Sequence, residues 1–292
     1  MRLTELINNG KETISEMYPE REAKEMVFVY LEELLGIKRH THIVEPSYEV
    51  SNDKADEALL AFERMASGEP LQYIIGKAWF YGRQFKVSSD VLIPRPETEM
   101  LVNSVVTSEA LAGYGKELSI LDMCTGSGCI AWTLAMEFPG AEVTAVDISE
   151  GALEIASSQS FTGEMSRTGA LAPIFIKSDI LMETLCLGKT EKYDIIVSNP
   201  PYVMDKEKAL MRSNVLDHEP HLALFVPDHD PLKFYKAIAR HSSELLKEGG
   251  IGIVEINEAL GVQTADLFRQ MGFQAEILKD LSDKDRFVKF HR

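Results

Sequence analysis

The hydrophobic period of the chain changes twice, near Trp79 and again close to residue 98. Up to about Gly76 the apolar residues recur at helical spacing. Leu3, Leu6 and Ile7 begin one amphipathic stretch. Pro19 stands at the opening of a second, Glu20 to Leu35, which stops at Gly36, a residue suited to a left-handed cap. Ser51-Asn-Asp is a helix-start signal for a third, which carries Ala58, Leu59, Phe62 and Met65 and ends near Gly68. Between Trp79 and Val91 the pattern alternates instead. Phe80-Tyr-Gly-Arg-Gln-Phe-Lys-Val turns around Gly82 and predicts a β-hairpin.

After Thr98, strand and helix patterns alternate, the mark of an α/β fold with a mostly parallel sheet. Strands are predicted at Ser119–Met123, Glu142–Val146, Pro173–Lys177, Tyr193–Ser198 and Ile251–Glu255, with a closing pair at Gln274–Leu278 and Arg286–Phe290. Helices fall between them, for example Ile130–Glu137 and Leu232–Leu246. The expected organisation is a helical domain over 1–76, a hairpin connector over 77–92 and an α/β domain over 93–292.

Composition narrows the class. With 45% hydrophobic and 26% charged residues, the 292-residue chain is that of an ordinary globular protein. No apolar run approaches a membrane span, and the Met1-Arg-Leu-Thr-Glu-Leu start lacks a signal peptide's apolar core, so cytoplasm is the expected compartment. Cys124, Cys129 and Cys186 have no zinc or redox spacing and are expected as small buried residues. The net charge of −16, without a cluster of Lys and Arg, lowers the odds of a nucleic-acid substrate and is compatible with a basic protein partner.

The chemistry gathers at strand ends. Ile120-Leu-Asp-Met-Cys-Thr-Gly-Ser-Gly-Cys-Ile130 is a strand, a turn and a helix start. Gly126 and Gly128 allow close backbone approach to a ligand, and the helix offers free N–H groups. The full dinucleotide fingerprint is absent, since Ala131 takes the third glycine position. Asp147 ends the next strand, where an acid accepts hydrogen bonds from ribose hydroxyls. Asp179 and Ile180 end the third, with an acceptor for an adenine amine and an apolar cover for its ring. The strand Tyr193-Asp-Ile-Ile-Val-Ser runs into Asn199-Pro200-Pro201-Tyr202 and cannot continue through two prolines. Pro201 holds Pro200 extended, which fixes the Asn199 side chain relative to the Pro200 carbonyl. Two acceptors held close together suit a planar NH2 group, as on adenine or a carboxamide.

This series resembles the class I methyltransferases that use S-adenosylmethionine, and Asn-Pro-Pro-Tyr resembles the subset acting on planar amino groups. Glu69-Pro-Leu-Gln-Tyr-Ile-Ile-Gly, Val91-Leu-Ile-Pro-Arg-Pro-Glu-Thr-Glu99, Glu219-Pro-His-Leu-Ala-Leu and Lys279-Asp-Leu-Ser-Asp-Lys-Asp-Arg286 are similar to segments of the release factor glutamine methyltransferases of the PrmC/HemK type. The resemblance spans nearly the whole chain. It implies a Rossmann-like class I methyltransferase sheet, with a small N-terminal helical domain joined by a β-hairpin. The three N-terminal helices are read as a docking module for a protein partner, with tight packing against the catalytic domain as the alternative.

The resemblance further implies methylation of the glutamine in the Gly-Gly-Gln loop of class I peptide-chain release factors. It places the cofactor on Cys124, Thr125, Gly126, Ser127 and Gly128, on Asp147, and beside Asp179, Ile180 and Asn199. The substrate amide would lie on Asn199, Pro200, Pro201 and Tyr202, with Asn199, Pro200 and Tyr202 as the catalytic set. Two departures stand out: Cys124 where many relatives have Gly, and Ile180 where some have Trp.

An adenine-amino methyltransferase acting on DNA or RNA is the alternative enzyme, and a cofactor-binding protein without catalysis is the alternative from another class. The intact Asn-Pro-Pro-Tyr argues against the latter. Asp217-His-Glu-Pro-His221 and Asp228-His-Asp230 are expected as a polar loop rather than a metal site. Arg95 is open to two roles, an ion-pair centre with Glu97 and Glu99 or part of the substrate entrance.

Overall fold

The computed structural model describes residues 1–108, 118–185, 187 and 192–292. They divide into two compact units, Met1–Lys77 with Met211–His218, and Ala78–Leu210 with Glu219–Arg292. The first unit is helical, with long helices Leu3–Ile14, Glu20–Leu35 and Asn52–Ala66 and short ones Thr41–Val44 and Leu71–Ile75. Their apolar stripes meet in a core that includes Leu6, Ile14, Val27, Phe62 and Met65. Gly10 sets the closeness of that packing, because an added Cβ would lie 2.7 Å from the Phe62 ring and 2.9 Å from Val27. Gly36 caps its helix at φ 65°, whereas the Ser51 side chain makes no capping hydrogen bond. The unit also takes in Met211–His218, whose Arg212 stands 3.7 Å from Glu22. Nothing in the local pattern around Met211 signals that membership.

In the second unit, β1 (Lys77–Phe80) and β2 (Arg83–Lys86) form the hairpin. Tyr81 and Gly82 both have positive φ, 49° and 74°, as a type I′ turn requires. The strained Tyr81 is held by its N–H, which donates to Glu99 at 2.8 Å. Phe80 and Phe85 are fully buried in the same cluster as Leu101, Trp132 and Val143, so the hairpin is part of the core of this unit and more than a link.

The main sheet is built from β3 (Ser119–Met123), β4 (Glu142–Asp147), β5 (Ile174–Lys177), β6 (Tyr193–Ser198), β9 (Leu246–Glu255), β10 (Gln274–Lys279) and β11 (Asp285–His291). The two-residue strands β7 (Val203–Met204) and β8 (Phe225–Val226) pair apart from it. The order is β10-β11-β9-β6-β3-β4-β5, with β11 antiparallel to both neighbours and the other pairings parallel. β3 and β6 are buried along their whole length, as central parallel strands are. β9 begins at Leu246 rather than Ile251. Gly249 at φ 75° and a register shift beside Tyr193 carry the ladder through Lys-Glu-Gly-Gly, a stretch with the composition of a loop.

From β3 the chain runs outward to β4 and β5, then returns to place β6 and β9 on the other side. The carboxyl ends of β3 and β6 therefore flank the point where the winding reverses, the usual ligand position in open α/β sheets. Met123 is in register with Ser198, and the Ser198 hydroxyl donates to the Met123 carbonyl at 2.7 Å. Cys124 and Asn199 thus leave the sheet side by side. No helix among the described residues is long and apolar enough to cross a membrane.

Candidate active site

The turn after β3 is held from three directions. Thr125 donates its N–H to the Val146 carbonyl at 3.0 Å and its hydroxyl to Asp122 at 2.6 Å, and the Gly126 N–H donates to Asp147 Oδ2 at 2.9 Å. The other Asp147 oxygen accepts from the Ser149 N–H at 3.0 Å. Cys124 adopts φ 60°, the left-handed conformation that glycine takes without strain, so the turn keeps a glycine-like path with a side chain added. Burial raises the Cys124 thiol well above its ordinary pKa, so it is a neutral group at the site. Cys124 is half-buried, Cys129 is buried as expected, and Cys186 lies outside the described residues.

The turn forms the floor of an open cleft that gathers the carboxyl ends of β3, β4, β5 and β6. Residues Cys124, Thr125, Gly126 and Ser127 line it, together with Asp147 and Asp179. Ile180, Asn199 and Pro201 complete the expected set that the cleft gathers. Three expected residues do not line it: Gly128, Pro200 and Tyr202. Gly128 meets helix and sheet instead, since a Cβ there would lie 3.1 Å from Ala156 and 3.2 Å from Phe175. Its missing side chain serves close packing rather than ligand approach. Pro200 is buried between its two cleft-lining neighbours.

Tyr202 turns away from the cleft toward β9. Its hydroxyl donates to Glu255 Oε1 at 2.9 Å, and its carbonyl accepts from Asn257 Nδ2 at 3.2 Å. Burial, with the Glu255 charge beside it, raises the Tyr202 hydroxyl well above its ordinary pKa, so at neutral pH it is a donor and no base. Asn199 gives its side-chain NH2 to the Thr98 hydroxyl at 3.1 Å, and Thr98 in turn donates to Glu255 Oε2 at 2.7 Å. Glu255 is 1% exposed, and burial raises its carboxyl pKa against the lowering effect of the two hydroxyls. Asp122, behind the turn, is pushed up to about 7 by burial, with the Asp147 charge adding to it.

Arg95 is an ion-pair centre, but with a partner remote in sequence. It reaches Glu219 at 2.6 Å, and the same buried carboxylate accepts the Ile93 N–H at 3.2 Å. Glu99 is occupied instead with the Tyr81 N–H. His218 belongs to the helical unit, while His221 packs edge-on against Phe225 with ring centroids 5.1 Å apart. Asp228 accepts the Lys206 N–H and Asp230 pairs with Lys236. Among the described residues, no three His, Cys, Asp or Glu side chains are grouped to hold a metal ion.

Sequence reasoning missed Thr98, Glu219, Glu255 and Asn257. Thr98 and Glu219 sit inside segments already notable for resemblance, which was the available signal. Glu255, the last residue of a strand ending beside β6, had only its position to mark it.

Two families match the chain: the PrmC N-terminal domain over residues 5–76 and the Methyltransferase small domain over residues 97–222. The chain is 37% identical to the release factor glutamine methyltransferase of Flavobacterium psychrophilum over 279 residues, 95% of each chain. It is 39% identical to that of Bacteroides thetaiotaomicron over 283 residues, 97% of each. With that of Streptococcus pneumoniae the identity is 38% over 99% of this chain and 98% of the relative. At such identity over nearly the full length of both partners, the chain belongs to the release factor glutamine methyltransferase family.

Proposed function

We propose that this enzyme transfers a methyl group from S-adenosylmethionine to the side-chain amide nitrogen of the glutamine in the Gly-Gly-Gln loop of class I release factors. The observation that carries the reading is the setting of Asn199. Its NH2 is given to Thr98, which leaves its carboxamide oxygen as an acceptor in a residue that lines the cleft. Such an oxygen suits an incoming N–H.

The cleft fits the cofactor in charge. Asp90, Asp147 and Asp179 line it, and of its cations Arg95 is already paired with Glu219. That balance favours a positively charged sulfonium over a phosphate-bearing nucleotide. Each Asp147 oxygen keeps acceptor capacity beyond its backbone N–H, which suits ribose hydroxyls. Ile148 and Ile180 supply the apolar contact for a purine ring. When bound, the cofactor supplies an electrophilic methyl group.

The chain's residues then have to improve a poor nucleophile. An amide lone pair is delocalised into its carbonyl, and acceptors on both N–H hydrogens, Asn199 Oδ1 and the Pro200 carbonyl, favour a pyramidal nitrogen. Holding that nitrogen about 3–3.5 Å from the methyl carbon supplies much of the rate. Tyr202, turned toward β9, holds Glu255 from behind Asn199 and keeps its proton. The extra proton of the methylated amide is lost to solvent, so the reaction needs no general base.

The helical unit serves as the dock for the protein substrate, the cytoplasm is the working compartment, and no nucleic acid is methylated. Transfer of tritiated methyl from S-adenosylmethionine to purified release factor, measured beside DNA and RNA, tests the reading. Label on the release factor glutamine alone is expected. Label on an adenine amine instead would support the adenine-amino alternative.

A further inference from the structure

The segment Ile93-Pro-Arg-Pro-Glu-Thr-Glu99 has its arginine explained by Glu219, but its threonine has a different connection. Thr98 is 2% exposed and lies between Asn199 and Glu255, 101 and 157 residues distant in sequence. Both oxygens of Glu255 are taken by hydroxyls, Oε2 by Thr98 and Oε1 by Tyr202, and a carboxyl group placed so acts as an acceptor. Glu255 therefore obliges the Thr98 hydroxyl to donate to it at 2.7 Å, and a hydroxyl with its one proton spent can offer Asn199 only a lone pair. The carboxamide of Asn199 must then turn its NH2 to Thr98 at 3.1 Å, with its oxygen pointing the other way. The second oxygen of the same carboxylate takes the Tyr202 hydroxyl at 2.9 Å. One buried carboxyl group thus sets the polarity of both polar side chains of Asn-Pro-Pro-Tyr.

We infer that Glu255, acting through the Thr98 hydroxyl, is the positioning residue that makes Asn199 present an acceptor, and so makes the site select an NH2 donor for methylation. This rests on the amide-methylation reading for its kinetic consequence but not for its structural one. A reversed Asn199 would set its own NH2 against the substrate's, two donors facing each other. Neither Thr98 nor Glu255 need touch the substrate for this.

The test uses the full chain with Thr98→Val, which keeps the shape and removes the hydroxyl, Glu255→Gln, and Thr98→Ser, which keeps the hydroxyl. Glu255→Gln brings a donor where only acceptors stood, so one of the two hydroxyls loses its partner or reverses its bond. The first two variants are expected to lower kcat for release factor by about 10²-fold, the scale of a misplaced reacting group. KM and cofactor Kd should hold, and Thr98→Ser should restore most of kcat. In protein labelled with 15N-asparagine, the Asn199 side-chain NH2 signal, identified by its loss in Asn199→Ala, should show one slowly exchanging proton that Thr98→Val abolishes.

An undiminished kcat in Thr98→Val and Glu255→Gln overturns the inference, and so does an Asn199 signal that Thr98→Val leaves unchanged. If the wild-type chain labels no release factor, the substrate reading falls. The amide signal still decides the positioning role.

Discussion

The Gly126 N–H lies 2.9 Å from the Asp147 carboxylate, so the acid at the end of β4 holds the turn at the end of β3. One side chain thereby shapes the turn and, on the proposed reading, also offers acceptors to a ribose. Asp147→Ala should weaken S-adenosylmethionine binding by about 1.5–3 kcal/mol, the range for hydrogen bonds to a charged group. Titration calorimetry on the folded variant checks this, and an unchanged Kd would remove Asp147 from the cofactor site.

Asn199→Ala should lower kcat by about 10²–10³ with a smaller change in KM, because an acceptor matters most as the nitrogen becomes pyramidal. Tyr202→Phe keeps the ring and deletes a donor to buried Glu255. Its cost should appear mainly as lost stability, about 1–3 kcal/mol, with kcat well above that of Tyr202→Ala. Steady-state kinetics beside urea unfolding separates the two effects. A dead but stable Tyr202→Phe would call for a proton-transfer role.

Asp122 makes stability depend on pH with a sign opposite to that of a paired surface acid. Its ordinary value is 3.8 and burial pushes it up to about 7, so between those values the folded state holds a proton that the unfolded state has lost. Its contribution to stability is present below the lower value and falls as pH rises toward the upper one. Asp122→Asn stays neutral throughout. The stability difference between variant and wild type should therefore grow in favour of the variant from about pH 4 to 7 and then level off. Denaturant midpoints across that range measure it, and a flat difference would refute the raised value.

The helical unit exposes Ile43 and Val44 side by side, at 69% and 67%, on the short helix Thr41–Val44. If this unit holds the protein substrate, Ile43→Asp with Val44→Asp should raise KM for release factor and leave cofactor Kd and kcat alone. Truncation is the poorer test, because Met211–His218 packs with this unit and would lose its neighbours. Equal KM values would place the contact elsewhere.

Gly252 lies under the Phe290 ring, where an added Cβ would come within 2.0 Å. Phe290 is stacked on Phe268 at 4.1 Å and cannot retreat freely. Gly252→Ala should cost about 1–3 kcal/mol or more, as overpacking does. Thermal unfolding checks it, and an unaltered Tm would mean that the sheet yields at β9.

Much of the site was legible because its parts are local. The turn Cys124–Gly128 and the run Asn199–Tyr202 declare themselves through residue types that dictate backbone conformation within a few positions. The parts that were not legible join distant positions. Arg95 has acidic neighbours at Glu97 and Glu99 but selects Glu219, 124 residues away, because that carboxylate is buried and needs a cation. Glu255 matters through two hydroxyls that no spacing rule links to it. Gly128, which does not line the cleft, was ambiguous for a related reason. Glycine marks close approach without saying whether a ligand or a neighbouring ring approaches.

The order β10-β11-β9 has a consequence for biosynthesis. β11 pairs with both β9 and β10, yet its residues are translated after both. Until Asp285–His291 leave the ribosome, β9 presents an edge bearing Ile251 and Ile253 with no partner on that side, the kind of edge that recruits other chains. Most of the sheet can assemble during translation, but its sealing waits for the last strand. A growing chain stalled before that strand therefore carries an unpaired edge that invites aggregation.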